Sequence, residues 1–276
     1  MKLFLQTKDF SVSKEDFQLL LDAELEMLVT HPQPTDIASY YDSEAYISHT
    51  DSKASLTDRL YHWVKRYNIN KKIQLVENQI VNSKKLLDFG AGTGDFLIES
   101  QAKGFKVSGI EPNTRARANA ANKGIQLFKD TKEIQNETFD VITLWHVLEH
   151  LPNLDSHVKQ LNSLLDSEGA LVIAVPNYRS YDAKHYGKYW AAYDVPRHLW
   201  HFSKTSIIRL FEKQNLEVVA IKPMIFDAFY VSILSEKYKG NKLYLINALL
   251  IGLWSNFKAY FSKEYSSLIY VIKKKK

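Results

Sequence analysis

The sequence contains no cysteine among its 276 residues, which excludes disulfides, thiolate metal sites and cysteine nucleophiles. It also lacks long apolar runs. The longest, LYLINALLIGLW over 243–254, is shorter than the roughly 20 residues of a membrane span and is interrupted by Asn247. The first ten residues lack the basic head and apolar stretch of a secretory signal, so we expect a cytoplasmic protein that begins near Met1.

The chain also lacks a large excess of charge of one sign. Its 36 basic and 31 acidic residues give a net charge of +5, and part of this lies in the tail 273–276. A nucleic-acid-binding protein is expected to show a strong basic face, so we expect no nucleic-acid partner and a solvated tail. With 45% hydrophobic and 13% aromatic residues, the chain is expected to fold as one large α/β domain with attachments.

From residue 86 onward, short apolar runs alternate with helical patterns. This alternation predicts an α/β fold, in which helices cover both faces of a parallel sheet. Seven strands are expected, at KLLDFG, KVSGIEP, IQLFKD, FDVITLWHV, GALVIAVPN, LEVVAIKPM and SSLIYVIKK. Two segments break the alternation, 177–202 and 226–262, and are predicted to be insertions in a domain that covers 83–276.

Residues 1–82 form an N-terminal extension that is predicted to cover a nucleotide pocket. Apolar residues at helical spacing predict a helix over 56–67. A polar, tyrosine-rich stretch precedes it and supplies three candidate lid residues, Tyr41, Tyr46 and His49. Residues 1–30 fit either a helix or short strands, so their type is left open.

The stretch LLDFGAGTGDFL places three glycines on alternate positions after an apolar strand. A dinucleotide-binding turn needs a further glycine where Asp95 stands, and the Gly-Lys-Ser/Thr of a P-loop is absent. An aspartate at a helix N-terminus also competes with a phosphate for the positive end of the helix dipole. The turn therefore favours a ligand without a phosphate, and an NAD-dependent enzyme is a weaker alternative.

Two carboxylates indicate what that ligand is. Asp88, at the end of the first strand, suits an ammonium group, and Glu111, at the end of the second, suits both hydroxyls of a ribose. The glycines between them allow the backbone to approach the ligand closely. A cationic amino acid joined to a nucleoside fits this pattern, so we predict S-adenosylmethionine as the ligand.

LLDFGAGTGDFL, GIEPN and FDVITLWHVLEHLPN resemble, in this order, motifs of the class I S-adenosylmethionine-dependent methyltransferases, over roughly residues 86–274. VLEH is similar to the quinone-biosynthesis O-methyltransferase group, and DVPRHLWHFS resembles a segment of a broad bacterial branch. The resemblance implies a Rossmann-like seven-stranded methyltransferase sheet, with S-adenosylhomocysteine as product. Such relatives often carry an N-terminal zinc knuckle, which a chain without cysteine cannot form, so no metal is expected. The implied cofactor-binding residues are Asp88, Phe89, Gly90, Ala91, Gly92, Gly94, Glu111, Pro112, Asp130, Trp145 and His146.

Histidines supply the candidate bases, because an acceptor hydroxyl loses a proton as it attacks the methyl group. His146 and His150 follow the fourth strand, and His198 lies in segment 177–202 beside Arg197, which is expected to stabilise a developing phenolate. A structural alternative for His150 is a pairing with Glu149 that caps the turn. The aromatic segment 177–202 is predicted to be a substrate lid, with a satellite core as the alternative; its lid candidates are Tyr189, Trp190, Tyr193 and His201.

Two exclusions narrow the chemical class of the methyl acceptor. Methylation of pyrimidine C5 usually needs a cysteine, and LWHVLEH stands where amine-methylating enzymes carry an Asn/Asp-Pro-Pro-aromatic turn. We therefore predict methyl transfer to an oxygen of a small aromatic, isoprenoid or glycan-like molecule. An RNA or protein methyltransferase and a non-catalytic nucleotide-binding module are the alternatives.

Segment 243–258 is predicted to be a helix with one apolar face, formed by Leu245, Leu249, Leu253 and Phe257. Burial of this face in the core competes with a contact to a membrane surface or a partner chain. The oligomeric state is not predicted.

Overall fold

The computed structural model describes residues 1–37, 40, 56–80, 83–134 and 137–276, and for residues 56–65 it describes the backbone alone. The strands are β1 (Lys2–Lys8), β2 (Asp16–Asp22), β3 (Met27–His31), β4 (Lys85–Phe89), β5 (Lys106–Ile110), β6 (Phe139–Trp145), β7 (Leu165–Pro176), β8 (Trp200–His201), β9 (Leu216–Pro223) and β10 (Ser267–Lys274). The α-helices are α1 (Leu56–Glu77), α2 (Asp95–Ala102), α3 (Thr114–Asn122), α4 (Leu154–Leu164), α5 (Tyr181–Tyr186), α6 (Lys204–Glu212), α7 (Asp227–Tyr238) and α8 (Tyr244–Ser262).

The central sheet has six described strands in the order β5-β4-β6-β7-β10-β9. Strands β5, β4, β6 and β7 are parallel, whereas β10 is antiparallel to both β7 and β9. Helices flank this sheet, which confirms the predicted α/β fold. The carboxyl ends of β4, β5, β6 and β7 share one edge with the first residue of β10, and it is at this edge that open α/β sheets bind ligands.

The predicted third strand, IQLFKD, is not a strand in the structure. It forms an isolated bridge between Ile110 and Phe128. The chain then turns away because the Asp130 side chain accepts a hydrogen bond from the Lys132 amide and caps a short 3-10 helix, Thr131–Glu133. This turn ends the pairing with β5 after one bridge.

Residues 1–30, left open from the sequence, form a second sheet with strand order β1-β2-β3-β8. Its first three strands are an antiparallel meander, and its fourth, β8, comes from segment 177–202. The N-terminal extension is therefore joined by backbone hydrogen bonds to the methyltransferase-like part of the chain.

Helices α7 and α8 form a hairpin, and α8 packs against the rest of the protein through small residues. The residues of α8 that face the protein are small: Ala248, Gly252, Ser255 and Ala259. A β-carbon on Gly252 would lie 2.5 Å from the ring of Phe229, so glycine permits the close approach of the two helices. The alternative that the predicted apolar face is buried in the core is therefore wrong, because that face points away from the protein. It consists of Leu245, Leu249, Leu253 and Phe257, exposed by 57%, 54%, 54% and 53%.

Among the residues that the structure describes, no helix combines the length and hydrophobicity needed to cross a membrane.

Candidate active site

The glycine-rich turn lies at the carboxyl end of β4 and contacts the segment that follows β6. Gly90, Gly92 and Gly94 all have positive φ angles, of 76°, 55° and 77°. At Gly90 a side chain is also excluded by packing, since a β-carbon would lie 2.5 Å from Cγ2 of Val147. The turn is thus held against the residues next to His146.

Glu111 ties this turn to the end of β5. Its Oε2 accepts a hydrogen bond from the Gly92 amide at 2.8 Å, and its Oε1 accepts one from the Asn113 amide at 2.8 Å. Each carboxylate oxygen has a second lone pair that can accept a hydroxyl. The carboxylate is therefore fixed in place at the sheet edge, where its predicted role needs it.

Asp88 is buried beneath the same turn. The Thr143 hydroxyl donates to its Oδ1 at 2.6 Å. Burial raises the pKa of the Asp88 carboxyl to about 7, although the Thr143 hydrogen bond and the Lys72 charge act in the opposite direction. A cation bound beside Asp88 would favour the ionised form.

Lys72 is a residue of this region that the sequence did not indicate. Its ammonium lies 4.3 Å from the centre of the Trp145 ring, in a cation-π contact. Burial lowers the pKa of Lys72, whereas the charges of Asp88 and Asp227 raise it. Helix α1 thus brings a cation to the end of β6, and no local motif marks that position.

The other predicted cofactor residues lie around the same edge. The amides of Gly90 and Ala91 donate to the carbonyl of Ile110, at 2.8 and 2.9 Å, and Phe89 is buried in the core. Pro112 follows Glu111, and its carbonyl accepts from Arg117. The Asp130 side chain caps the turn described above.

His146 has a strained backbone and two acidic neighbours. Its φ angle is 57°, which is rare for a residue with a side chain and is frequent at functional sites. Its Nε2 lies 3.1 Å from Oδ2 of Asp227, and its Nδ1 lies 3.4 Å from Oε1 of Glu149. Burial lowers the pKa of His146, but these two carboxylates outweigh it and raise the pKa to about 10. The ring is therefore an imidazolium near neutral pH, and Asp227 is a second residue that the sequence did not indicate.

His150 and His198 lie together beside Glu149. Their ring centres are 4.5 Å apart, in an edge-to-face arrangement. His150 Nδ1 lies 3.0 Å from the Arg197 carbonyl oxygen, and His198 Nδ1 lies 2.8 Å from that of Ala192. Burial and the neighbouring His198 lower the pKa of His150 to about 4, so His150 is neutral near pH 7.

These groups line a cavity of about 750 Å³. His146 and Glu149 contribute from the end of β6, His198 from segment 177–202, and Ser267 from the start of β10. Helix α7 contributes the apolar wall, with Tyr230, Val231, Leu234 and Tyr238. The structure therefore brings the three predicted histidines together around one cavity.

Arg197 does not line this cavity. Its side chain is 1% exposed, and its Nη2 donates to Asp9 Oδ1 at 2.9 Å and to Asp194 Oδ1 at 2.7 Å. These carboxylates raise the pKa of Arg197 against the effect of burial. The residue joins the β1–β2 turn to segment 177–202, so its predicted contact with a phenolate is replaced by a structural role.

Two of the described lid candidates, Trp190 and Tyr193, belong to a second core. Trp190 is buried, and its Nε1 donates to Asp182 Oδ2 at 2.7 Å. Tyr193 packs edge-on against His201, whose Nε2 contacts the Thr30 hydroxyl at 3.0 Å. Tyr189 packs on Phe10 and lines a different cavity. The satellite-core alternative therefore describes Trp190, Tyr193 and His201 but not Tyr189, which is half-buried at a cavity wall. Tyr41, Tyr46 and His49 lie outside the described residues.

Comparison with known families gives a match to "Methyltransferase domain" over residues 60–221. The ubiquinone biosynthesis O-methyltransferase of Idiomarina loihiensis is 27% identical over 171 residues, which cover 56% of this chain and 70% of that protein. The enzyme of the same description from Actinobacillus pleuropneumoniae serotype 7 is 36% identical over 109 residues, which cover 34% of this chain and 46% of that protein. The chain thus spans less than half the length of this second relative.

Among solved structures, a phospholethanolamine N-methyltransferase 2 of Haemonchus contortus, in complex with phosphomonomethylethanolamine and S-adenosylhomocysteine, superposes with a TM-score of 0.51. The identity is 13%, and the alignment covers 75% of this chain and 53% of that one. At this identity the likeness shows a shared fold.

Proposed function

The chain belongs to the family of methyltransferase domains, and from this premise we propose that it transfers the methyl group of S-adenosylmethionine to a hydroxyl oxygen of a small, lipid-soluble acceptor. The observation that carries this proposal is the juxtaposition at one sheet edge of the glycine turn, fixed by Glu111, and a histidine-lined cavity. Relatives described as O-methyltransferases of ubiquinone biosynthesis support an oxygen acceptor of this class.

The donor is proposed to lie along the turn at the end of β4. Glu111 would accept the ribose hydroxyls, and ionised Asp88 would bind the ammonium of the methionine part. Trp145, the last residue of β6, lies at the same sheet edge, and the Lys72 ammonium is 4.3 Å from the centre of its ring. The H. contortus enzyme, which shares the fold, binds S-adenosylhomocysteine.

The acceptor is proposed to occupy the 750 Å³ cavity, with its hydroxyl towards the histidines. The reaction is a displacement in which the oxygen bonds to the methyl carbon while the carbon–sulfur bond pair returns to sulfur. The hydroxyl proton must leave, and His150 or His198 can accept it. His146 is less suited to this role because it is already protonated near neutral pH, and it would instead stabilise negative charge on the oxygen.

The surface of helix α8 supports the proposal that the acceptor resides in a membrane. Its outward face carries large apolar and aromatic side chains where a surface helix normally carries polar ones. Residues 239–263 contain four lysines and no acidic residue. Lys258 and Lys263 lie over the exposed rings of Trp254 and Tyr260, whereas Lys239 pairs with Glu236. Such a surface matches an anionic lipid bilayer, in which the apolar side chains would enter the interface and the lysines contact phosphates. The exposed residues are Leu245, Ile246, Leu249, Leu250, Leu253, Trp254, Phe257, Tyr260 and Phe261.

Helix α7 connects this surface with the cavity. It packs against α8 through Phe229 and lines the cavity through Tyr230 and Leu234. Helix α7 would therefore lie between an acceptor anchored in the bilayer and the proposed reaction centre. We propose a peripheral membrane contact through 243–258 on this basis.

The function is tested with methyl-labelled S-adenosylmethionine and a detergent-dispersed lipid extract. We expect label in the organic phase, with a single-turnover rate lowered by about 10² to 10⁴ in His198→Ala, as is typical for loss of a general base. His185→Ala is the matched control, because His185 is an exposed histidine of the same segment. Label in RNA or protein, with none in the lipid fraction, would overturn the proposal.

A further inference from the structure

A second cavity, of about 1070 Å³, lies beside the N-terminal sheet and is lined by four lysines of the described chain. They come from the end of β1, the β1–β2 turn, the 3-10 helix Gly187–Tyr189 and α7, and are Lys8, Lys14, Lys188 and Lys237. We propose that this basic cavity binds a small phosphate monoester with an aromatic body.

The charges of the basic cavity are unbalanced. Asp16 is the one carboxylate among the described residues that line it. It stands opposite Lys8 in the register of β1 and β2, yet none of the four lysines forms an ion pair within the described part of the chain. Exposed lysines elsewhere do form such pairs, as Lys123 does with Asp95. A phosphate monoester, with about two negative charges near pH 7, would offset the repulsion between the lysines.

Two of these lysines are held beside aromatic rings. The ammonium of Lys8 lies 5.3 Å from the centre of the Phe10 ring, and that of Lys188 lies 5.2 Å from the centre of the Tyr189 ring. The Thr7 hydroxyl donates to the Lys188 carbonyl at 2.7 Å, which ties the 3-10 helix to β1. The two ammonium groups are thus brought to one cavity from distant parts of the chain. Lysine binds phosphate as a point charge, without the planar geometry that arginine requires.

Lys14 reaches the basic cavity from a strained backbone position. Its φ angle is 63°, in the left-handed region that glycine adopts at lower cost. Its Nζ donates to the carbonyl oxygens of Phe10 and Ser11, which cannot neutralise its charge. Residues other than glycine in this conformation cluster at ligand-binding sites, so the strain is a second indication of a ligand here.

Aromatic rings give the basic cavity room for more than a phosphate ion. The Phe10 ring stacks on Tyr238, with ring centres 5.3 Å apart, and packs at a tilt against Tyr189, with centres 5.1 Å apart. The volume is that of a site for a small organic molecule. A ligand with its phosphate among the lysines could therefore place an aromatic body against Tyr189.

The basic cavity is distinct from the proposed active site. Of the described residues that line it, none belongs to the glycine turn and none is one of the three histidines considered as bases. It shares Phe10 and Tyr238 with the cavity of about 750 Å³, and these stacked rings form a wall common to both. The phosphate monoester is therefore a second ligand rather than the methyl acceptor, and its site does not rest on the proposed function.

The test is calorimetric titration of the full chain with phenyl phosphate, and separately with phenol and inorganic phosphate. We expect one phenyl phosphate per chain, bound more tightly than either of the other probes and more weakly at high salt. Lys188→Gln combined with Lys237→Gln should weaken binding at least about tenfold, through loss of two charged hydrogen-bond donors. Lys106→Gln combined with Lys222→Gln removes the same charge at exposed positions outside the cavity and should bind as the wild type does.

Tyr189→Ala separates the two parts of the ligand, because it should weaken binding of phenyl phosphate about threefold to tenfold and leave that of inorganic phosphate unchanged. Saturating S-adenosylhomocysteine should not alter the affinity for phenyl phosphate, and thermal unfolding establishes that each variant is folded. No binding of phenyl phosphate, an affinity unchanged in the double lysine variant or in Tyr189→Ala, or competition with S-adenosylhomocysteine would each overturn the proposal. Phenyl phosphate binding by a chain that does not bind S-adenosylhomocysteine would support this site and contradict the proposed function.

Discussion

Asp88 shows at the scale of one residue how burial and ligand binding oppose each other. Its carboxyl lies under the glycine turn, and burial raises its pKa to about 7. The folded protein therefore holds a proton that the unfolded chain releases near pH 3.8. The contribution of Asp88 to the free energy of unfolding consequently falls as the pH rises from about 4 to 7. The cationic donor, in contrast, needs the ionised form.

We predict that affinity for S-adenosylhomocysteine rises about tenfold between pH 6 and pH 8, because binding requires Asp88 to lose its proton around pH 7. Calorimetry across this range measures the change. Asp88→Asn, which keeps an oxygen for the Thr143 hydroxyl, should bind more weakly at pH 8 and show little pH dependence. A pH profile that is the same in both proteins would assign the proton to another group.

The residues at this site differ in how far the sequence could indicate them. Asp88, Gly90 and Glu111 lie in motifs next to strand ends, so local pattern was sufficient to place them at the sheet edge. Lys72 and Asp227 come from helices far away in the chain, and only the fold brings them to Trp145 and His146. Arg197 was a candidate because arginine can stabilise a phenolate, but its buried partner Asp9 lies far away in the sequence, so only the fold shows this ion pair.

At the scale of elements, helix α8 shows most clearly how packing decides which face of a helix is exposed. Its spacing predicts an apolar face, but periodicity alone could not tell whether that face is buried in the core or exposed. The small residues, represented by Gly252, decide this by allowing close packing on α7, so the larger side chains are left outside. The exposed face is the surface that we propose contacts anionic lipid.

We predict that the protein floats with vesicles containing phosphatidylglycerol, and that Leu249→Glu combined with Leu253→Glu abolishes this. Both side chains are more than half exposed, so the substitutions should leave the fold intact while placing charge in the apolar interface. Val219→Glu, at a 48% exposed position on β9, is the matched control and should float normally.

Flotation should also weaken at high salt or with vesicles of neutral lipid, because the lysines contribute through charge. Equal flotation of the double variant and the wild type would contradict the membrane contact. A protein that stays in solution and forms a dimer that the same substitutions dissociate would assign the face to a second copy of the chain.

The role of segment 177–202, as a lid or as part of a core, could not be predicted from its own sequence. Its aromatic density fits a lid or a core equally well. The deciding factor is the N-terminal sheet, whose strand β3 pairs with β8 and covers Trp190 and Tyr193. Because residues 1–30 were compatible with both helix and strand, the partner of this segment was unknown, and the segment could not be assigned to a core.

At the scale of the whole molecule, the two sheets are joined where the proposed chemistry takes place. Arg197 links the β1–β2 turn to the segment that presents His198, and His198 faces residues that follow β6. Six of the seven strands predicted for the central sheet are present in the predicted order along the chain, whereas IQLFKD forms only an isolated bridge. The direction of β10 could not be predicted, since a buried strand has the same pattern in either direction.

The most direct measurement of the central claim is a calorimetric titration of the full chain with S-adenosylhomocysteine, beside a titration with NAD. We predict one S-adenosylhomocysteine per chain and no NAD binding. In Glu111→Ala, the loss of two charge-assisted hydrogen bonds, about 2 to 4 kcal/mol, should weaken binding by roughly 30-fold or more. Glu111→Gln should lie between the two proteins, because its amide keeps one acceptor oxygen for the turn. Binding of NAD in place of S-adenosylhomocysteine, or an affinity for S-adenosylhomocysteine that Glu111→Ala leaves unchanged, would contradict the account.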